Sequence, residues 1–176
     1  MGRFVNPGNG AFQADVNAEI YVDKTGLLRF TNQVINTNAA FICNSRPRRF
    51  GKSVTANMLA AYYSKGSDSK NIFSGLDISK SADYEKHRNQ YDVIHFDVQW
   101  CVEAISGPEK FVSFITESII KELQQIYPGI LDENVQSLPD ALSLINSALG
   151  IKFVVIIDEW DVLIRDEAGR KDIQNE

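Results

Sequence analysis

Apolar and polar positions along this chain keep switching between two rhythms, one of unbroken short runs and one of helical spacing. Between Asn38 and Asn44 the run Ala39-Ala40-Phe41-Ile42-Cys43 is apolar throughout, which fits a short strand buried on both faces. Pro47 cannot donate to a ladder, so a loop is expected to follow it. From Lys52 the spacing turns helical, with Val54, Met58, Ala61 and Tyr62 on one face and Gly66 as the stop. Residues Ser64 to Ser81 are rich in Ser, Lys, Asp and Gly and read as a polar connection with one buried corner at Ile72-Phe73. A second strand is expected over Asp92–Val98, which is β-branched and aromatic between polar flanks. Ser106 and Glu109 then have capping-box spacing, and Pro108 suits a first turn. Phe111, Ile115, Ile119, Leu123 and Ile126 form a helical stripe that ends at Tyr127-Pro128-Gly129. Ser137 and Asp140 open another helix, with Leu142, Ile145 and Leu149 on one side and Gly150 as its stop. Last comes Phe153-Val-Val-Ile-Ile157, the pattern of a central strand covered on both faces. Strands alternating with helices predict an α/β fold with a parallel sheet flanked by helices.

Composition changes this picture little. At 176 residues and 44% hydrophobic the chain is long enough for one domain with a core of its own. Charged residues at 23% and aromatic residues at 10% indicate neither disorder nor a fibrous repeat. A formal net charge of -5 and a pI near 5.1 argue against a general nucleic-acid coat, which needs positive charge to neutralise phosphates. No stretch approaches the roughly 20 apolar residues that cross a bilayer, and polar residues follow Met1-Gly2-Arg3-Phe4 where a signal core would be apolar. A cytosolic protein with no membrane partner is expected. Cys43 and Cys101 lack the spacing of a disulfide framework or a zinc site, and both are expected to be small buried apolar residues.

The candidate chemistry lies at the two strand ends. Gly51-Lys52-Ser53 falls where a strand-loop-helix unit would place a phosphate site. Gly51 lets the backbone approach phosphate oxygens, Lys52 would reach the β and γ phosphates, and Ser53 would coordinate magnesium through its hydroxyl. The helix that starts there adds its amides and the positive end of its dipole. In the usual Gly-x-x-x-x-Gly-Lys-[Ser/Thr] pattern the first glycine would stand at residue 46, which is Arg46. The loop is therefore expected to be shaped differently at its mouth, and Arg46, Arg48 and Arg49 are themselves candidate phosphate contacts; a solvated basic turn is the alternative. The cofactor-binding set expected from the sequence is Arg46, Arg48, Arg49, Phe50, Gly51, Lys52, Ser53 and Val54. The apolar strand Phe153–Ile157 ends in Asp158-Glu159. In phosphate-loop ATPases an Asp at that position holds the magnesium shell and an adjacent Glu orients and deprotonates the attacking water. That pairs Asp158 with Ser53 as metal ligands and Glu159 with Lys52 as catalytic residues; capping of a following helix is the alternative for the two carboxylates. His87 and His95 have no catalytic spacing to Ser or Cys, so no hydrolase triad is supported.

Taken together, Asn6-Pro7-Gly8-Asn9, Tyr21-Val22-Asp23-Lys24-Thr25, Ser45-Arg-Pro-Arg-Arg-Phe-Gly-Lys-Ser53 and Ile157-Asp-Glu-Trp-Asp161 resemble the bacterial AAA-ATPase-like family of phosphate-loop NTPases, nearly from end to end. The departure at Arg46 is typical of that family. The resemblance implies an ATP-binding domain with Lys52 and Ser53 on phosphate and magnesium, Asp158 on magnesium and Glu159 as base, and it implies that Tyr21 to Thr25 pack close to the nucleotide. Members are usually longer, continuing into further strands and often into a restriction-endonuclease-like domain that would bring nucleic acid as a partner. On this reading residues 1–38 are an N-terminal docking segment and residues 39–176 a truncated phosphate-loop domain, its sheet incomplete for want of C-terminal strands. Two rivals stand beside ATP hydrolysis: a scaffold that ATP orders but that hardly hydrolyses it, and a nucleic-acid module using the arginine loop.

Overall fold

The computed structural model describes residues 2–45, 50–105 and 110–164, which form a mixed α/β structure whose strands make a two-stranded parallel sheet. The chain divides into two compact units, one built from the residues up to Ile94 with Lys152–Ile156, the other from His95–Ile151 and the residues from Ile157 on.

The first unit carries α1 (Gly10–Val16), α2 (Gly26–Val34), α3 (Lys52–Tyr63), α4 (Lys70–Phe73), a 3-10 turn (Asp77–Lys80) and α5 (Tyr84–His87). Its core joins Phe12, Leu28, Met58, Tyr62, Tyr63, Phe73 and Ile78. The expected buried corner at Ile72-Phe73 is present. α3 is buried on more than the one expected face, because Thr55, Ala56, Ala60 and Ala61 are buried alongside Met58, Tyr62 and Tyr63. Small residues there let neighbours pack close to the helix, and the hydroxyls of the two tyrosines find partners in α2. Asn32 Nδ2 donates to the Tyr62 hydroxyl at 3.1 Å, and the Tyr63 hydroxyl donates to Asn32 Oδ1 at 2.8 Å. Buried phenols need such partners, so α2 and α3 are locked at this point.

α3 ends at Tyr63 instead of running to Gly66. The reason lies downstream: Ser64 is extended and bridges Tyr91 in parallel, and the Asn89 amide donates to the Tyr62 carbonyl at 2.7 Å. Asn89 Nδ2 also reaches the Ser64 carbonyl at 2.7 Å. The last carbonyls of the helix are therefore satisfied by residues 89–91 and not by a glycine turn. The N-terminal strap closes over the same end. Ser64 Oγ donates to the Pro7 carbonyl at 3.0 Å, and Asn6 Nδ2 donates to Asp92 Oδ1 at 2.7 Å. Lys65 pairs with the other carboxylate oxygen of Asp92 at 2.7 Å, so this buried acid has an amide and an ammonium to satisfy it.

β1 spans Asp92–Asp97 and β2 spans Phe153–Asp158. Two strand expectations are corrected. Residues 39–45 are exposed and carry no strand, with Phe41 96% exposed; the described ladder consists of β1 with β2, and an apolar run without a partner cannot satisfy its amides as a strand. β2 forms where expected, yet it is not covered on both faces: Ile156 and Asp158 are buried while Val155 and Ile157 are 49% and 48% exposed.

The second unit holds α6 (Val98–Glu103), α7 (Phe111–Ile126) and α8 (Leu138–Leu149). Phe111, Ile115, Ile119 and Leu123 of α7 are buried, as are Ala141 and Ile145 of α8. Ser137 caps α8 and Gly150 ends it in the left-handed conformation, φ 68°, as the spacing predicts. The capping box placed at Ser106 and Glu109 lies outside the described residues. α6 replaces the expected end of the second strand at Val98, because the Asp97 carboxylate accepts the Trp100 amide at 2.8 Å and starts a helix there. Cys101 is buried, as expected, but Cys43 is exposed because its segment joins no sheet.

Candidate phosphate-loop site

The loop's last glycine sits at the start of α3. Gly51 has φ 71° and ψ 42°, a left-handed conformation that side chains with a Cβ adopt only at a cost. Its carbonyl accepts the Thr55 amide at 3.1 Å and the Thr55 hydroxyl at 3.0 Å, which secures the first turn. Lys52 and Ser53 are the first two residues of α3, where amides lack an intrahelical acceptor and the helix dipole is positive. Ser53 and Phe50 are exposed, while Lys52 and Val54 are half-buried. Of the expected contacts, Arg46, Arg48 and Arg49 lie outside the described residues.

A further cation stands at this turn. Lys24 Nζ donates to the Phe50 carbonyl at 2.7 Å, and a Cβ added to Gly51 would lie 2.4 Å from that ammonium nitrogen. The segment around Lys24 is held tightly. Asp23 Oδ1 accepts the Thr25 amide at 2.8 Å and Oδ2 accepts the Asp77 amide at 2.8 Å. The buried Thr25 hydroxyl accepts the Ile78 amide at 3.1 Å. Burial alone would raise the Asp23 carboxyl, but the hydrogen bonds from Thr25 and from the Asp77 amide outweigh it and hold the group below the usual carboxylate range. Burial pushes the neighbouring Tyr21 phenol up to about 12, with Asp23 and Asp15 adding to the rise. Lys24 was not among the residues picked out from the loop motif. The local signal for its placement was the Asp-x-Thr spacing of an Asx turn, which fixes a backbone without saying what the intervening lysine faces.

The acidic pair belongs to the second unit, and Lys52 and Ser53 to the first. Asp158 ends β2 and is buried. Its Oδ1 accepts the Glu159 amide at 3.0 Å. Glu159 has φ 49°, an uncommon conformation for a residue with a side chain and one that clusters at functional sites. Its carbonyl accepts the Val162 amide at 3.1 Å. His95 lies in the same unit; burial lowers its pKa, and the carboxylates of Asp158 and Asp97 act in the opposite sense. Asp97 itself is committed to capping α6.

Ser53 and Asp158 offer a hydroxyl and a carboxylate, the hard oxygen donors that magnesium takes. Among the described residues no three His, Cys, Asp or Glu side chains cluster, and magnesium does not need such a cage, since substrate phosphates usually complete its shell. The space that a Cβ at Gly51 would take is held by the Lys24 ammonium, so the turn presents a cation beside the first amides of α3.

The sequence profile of the family described as Predicted AAA-ATPase matches residues 14–176. The chain belongs to this family. A protein of Azotobacter chroococcum mcd 1, described as an uncharacterized protein in the vnfD 5' region, is 30% identical over 156 residues, covering 89% of this chain and 28% of that protein. The chain thus spans just over a quarter of the length of this relative. No solved structure matches it. Among the described residues no helix is long and apolar enough to cross a membrane.

Proposed function

We propose that this member of the AAA-ATPase-like family binds magnesium-ATP at Gly51, Lys52 and Ser53 and hydrolyses its terminal phosphoanhydride. The observation that carries the reading is the left-handed Gly51 immediately before Lys52 and Ser53 at the start of a 12-residue helix. In this reading the first amides of α3 take phosphate oxygens, the Lys52 ammonium neutralises the β and γ phosphates, and Phe50 and Val54 flank them. Arg46, Arg48 and Arg49, which precede this turn in sequence, would add positive charge. Bound magnesium, held by the Ser53 hydroxyl and Asp158, would supply further neutralisation of the phosphate oxygens. Glu159 orients and deprotonates the attacking water. The buried state of Asp158 and the strained backbone at Glu159 support giving these two acids work beyond helix capping.

The test is equilibrium titration of a fluorescent ATP analogue with the wild-type chain and with Lys52→Ala. The variant is expected to lose at least about ten-fold in affinity, the loss of one charge-assisted contact. Equal binding by the two proteins would refute nucleotide binding at this loop. Single-turnover hydrolysis with and without Glu159→Gln addresses the chemical step, and no difference would favour a scaffold that ATP orders without being split.

A further inference from the structure

We propose that Lys24 is a second phosphate-binding cation of this site, presented over the last turn of the loop from the segment that precedes α2. The inference rests on the nucleotide reading above and names a ligand-contacting residue that the loop motif does not contain.

The geometry begins with the ammonium itself. Lys24 Nζ is 2.7 Å from the Phe50 carbonyl oxygen and would lie 2.4 Å from a Gly51 Cβ. It therefore lies against the backbone of the residue that precedes Lys52, on the side that a side chain at 51 would occupy. An ammonium carries three donors, and the Phe50 carbonyl takes one. The others are available to an anion approaching the first amides of α3, which a phosphate chain would do because those amides and the helix dipole attract it.

Lys24 is also preorganised. Its own carbonyl accepts the Leu27 amide at 3.0 Å, which makes its backbone part of the entry to α2. On either side Asp23 and Thr25 are pinned to the turn at Asp77-Ile78 by 2.8 Å and 3.1 Å hydrogen bonds. α2 is locked to α3 through Asn32 and the two tyrosine hydroxyls. A lysine on a mobile tail would lose most of its electrostatic gain to ordering, whereas here only the side chain remains to be ordered. A surface lysine with no ligand has little reason to have its backbone fixed from both sides and its ammonium set against the turn that opens α3.

The chemistry predicts selectivity by phosphate number. A cation beside Gly51 and Lys52 acts on the β and γ phosphates and adds little for a nucleoside monophosphate. The experiment measures the affinities of ATP, ADP and AMP for wild type, Lys24→Met, Lys24→Arg and Lys52→Ala, with a thermal melt of each protein. Lys24→Met is expected to bind ATP at least about ten-fold more weakly, to leave AMP binding unchanged, to lower the melting temperature by no more than about 2 °C through loss of the Phe50 contact, and to be partly rescued in Lys24→Arg. ATP binding by Lys24→Met within about two-fold of wild type, beside a clear loss in Lys52→Ala, would overturn the proposal and leave the nucleotide reading standing. Equal losses for ATP and AMP would also overturn it, since they would mark a structural role. If neither lysine substitution alters binding, the nucleotide site itself is misassigned.

Discussion

Replacing Gly51 with alanine tests the phosphate loop through its backbone. The left-handed conformation at φ 71° costs an alanine about 1–2 kcal/mol. The new methyl would also fall 2.4 Å from Lys24 Nζ, too close to coexist with it. Since Nζ is the free end of a flexible side chain, it is the lysine that moves and not the helix. The Lys24 bond to the Phe50 carbonyl is then lost, and at this exposed position a hydrogen bond contributes about 0.5 kcal/mol, the low end of the usual range. The expected destabilisation is about 2 kcal/mol in all. Urea denaturation followed by far-UV circular dichroism gives the total, and the same substitution in a Lys24→Ala background should cost about 0.5 kcal/mol less. ATP affinity should fall as well, because the methyl displaces the Lys24 ammonium from its place beside the first amides of α3. A Gly51→Ala protein as stable as wild type, with the same cost in both backgrounds, would refute both the strained turn and the lysine contact.

Two further outcomes follow from the packing. Asn32→Ala removes a side chain that bonds the buried hydroxyls of Tyr62 and Tyr63 at 3.1 Å and 2.8 Å, so a loss of about 2–3 kcal/mol is expected in urea titration; a loss under about 0.5 kcal/mol would contradict the α2–α3 lock. His87 and His95 both titrate below their ordinary value because burial disfavours the charged ring. The unfolded chain, with histidines near pKa 6.5, therefore binds protons that the folded chain resists. Their stabilising contribution is complete above that value and is lost as pH falls through it towards the lowered folded pKa. Melting temperature measured from pH 8 to pH 5 should decline below about pH 6.5, and the decline should flatten in His87→Gln and in His95→Gln. The Asp83 carboxyl, held low chiefly by the Ser81 hydroxyl, loses its contribution only at more acidic pH, so a flat wild-type profile down to pH 5 would contradict the histidine account.

Elements whose signals are local were readable from the sequence. The Ser137 cap and the Gly150 stop define α8 without any neighbour, and the stripe from Phe111 to Leu123 needs only a helical period. Elements that depend on a partner were not. Ala39–Cys43 has the composition of a buried strand but no strand beside it among the described residues, and Phe41 stands in solvent. Gly66 looked like a helix stop, yet its glycine is required for a different reason: a Cβ there would fall 2.2 Å from the Asn6 carbonyl oxygen. At the candidate site the motif Gly51-Lys52-Ser53 let the turn and the start of α3 be placed from the sequence. Lys24, 26 residues before Phe50, could not be placed by spacing, because its position follows from how α2 docks on α3.

The strap at the N-terminus has a consequence for the order in which this chain assembles during synthesis. The contacts that shape the turn opening α3, Lys24 with Phe50 and Asn32 with the two tyrosines, span 26 to 31 residues. Asn6 with Asp92 spans 86. Closing a longer loop costs more entropy and waits for more chain to leave the ribosome. The turn that opens α3 can therefore be in place while the first residues are still loose, and the Asn6 bonds act as a late fastener on a turn already made.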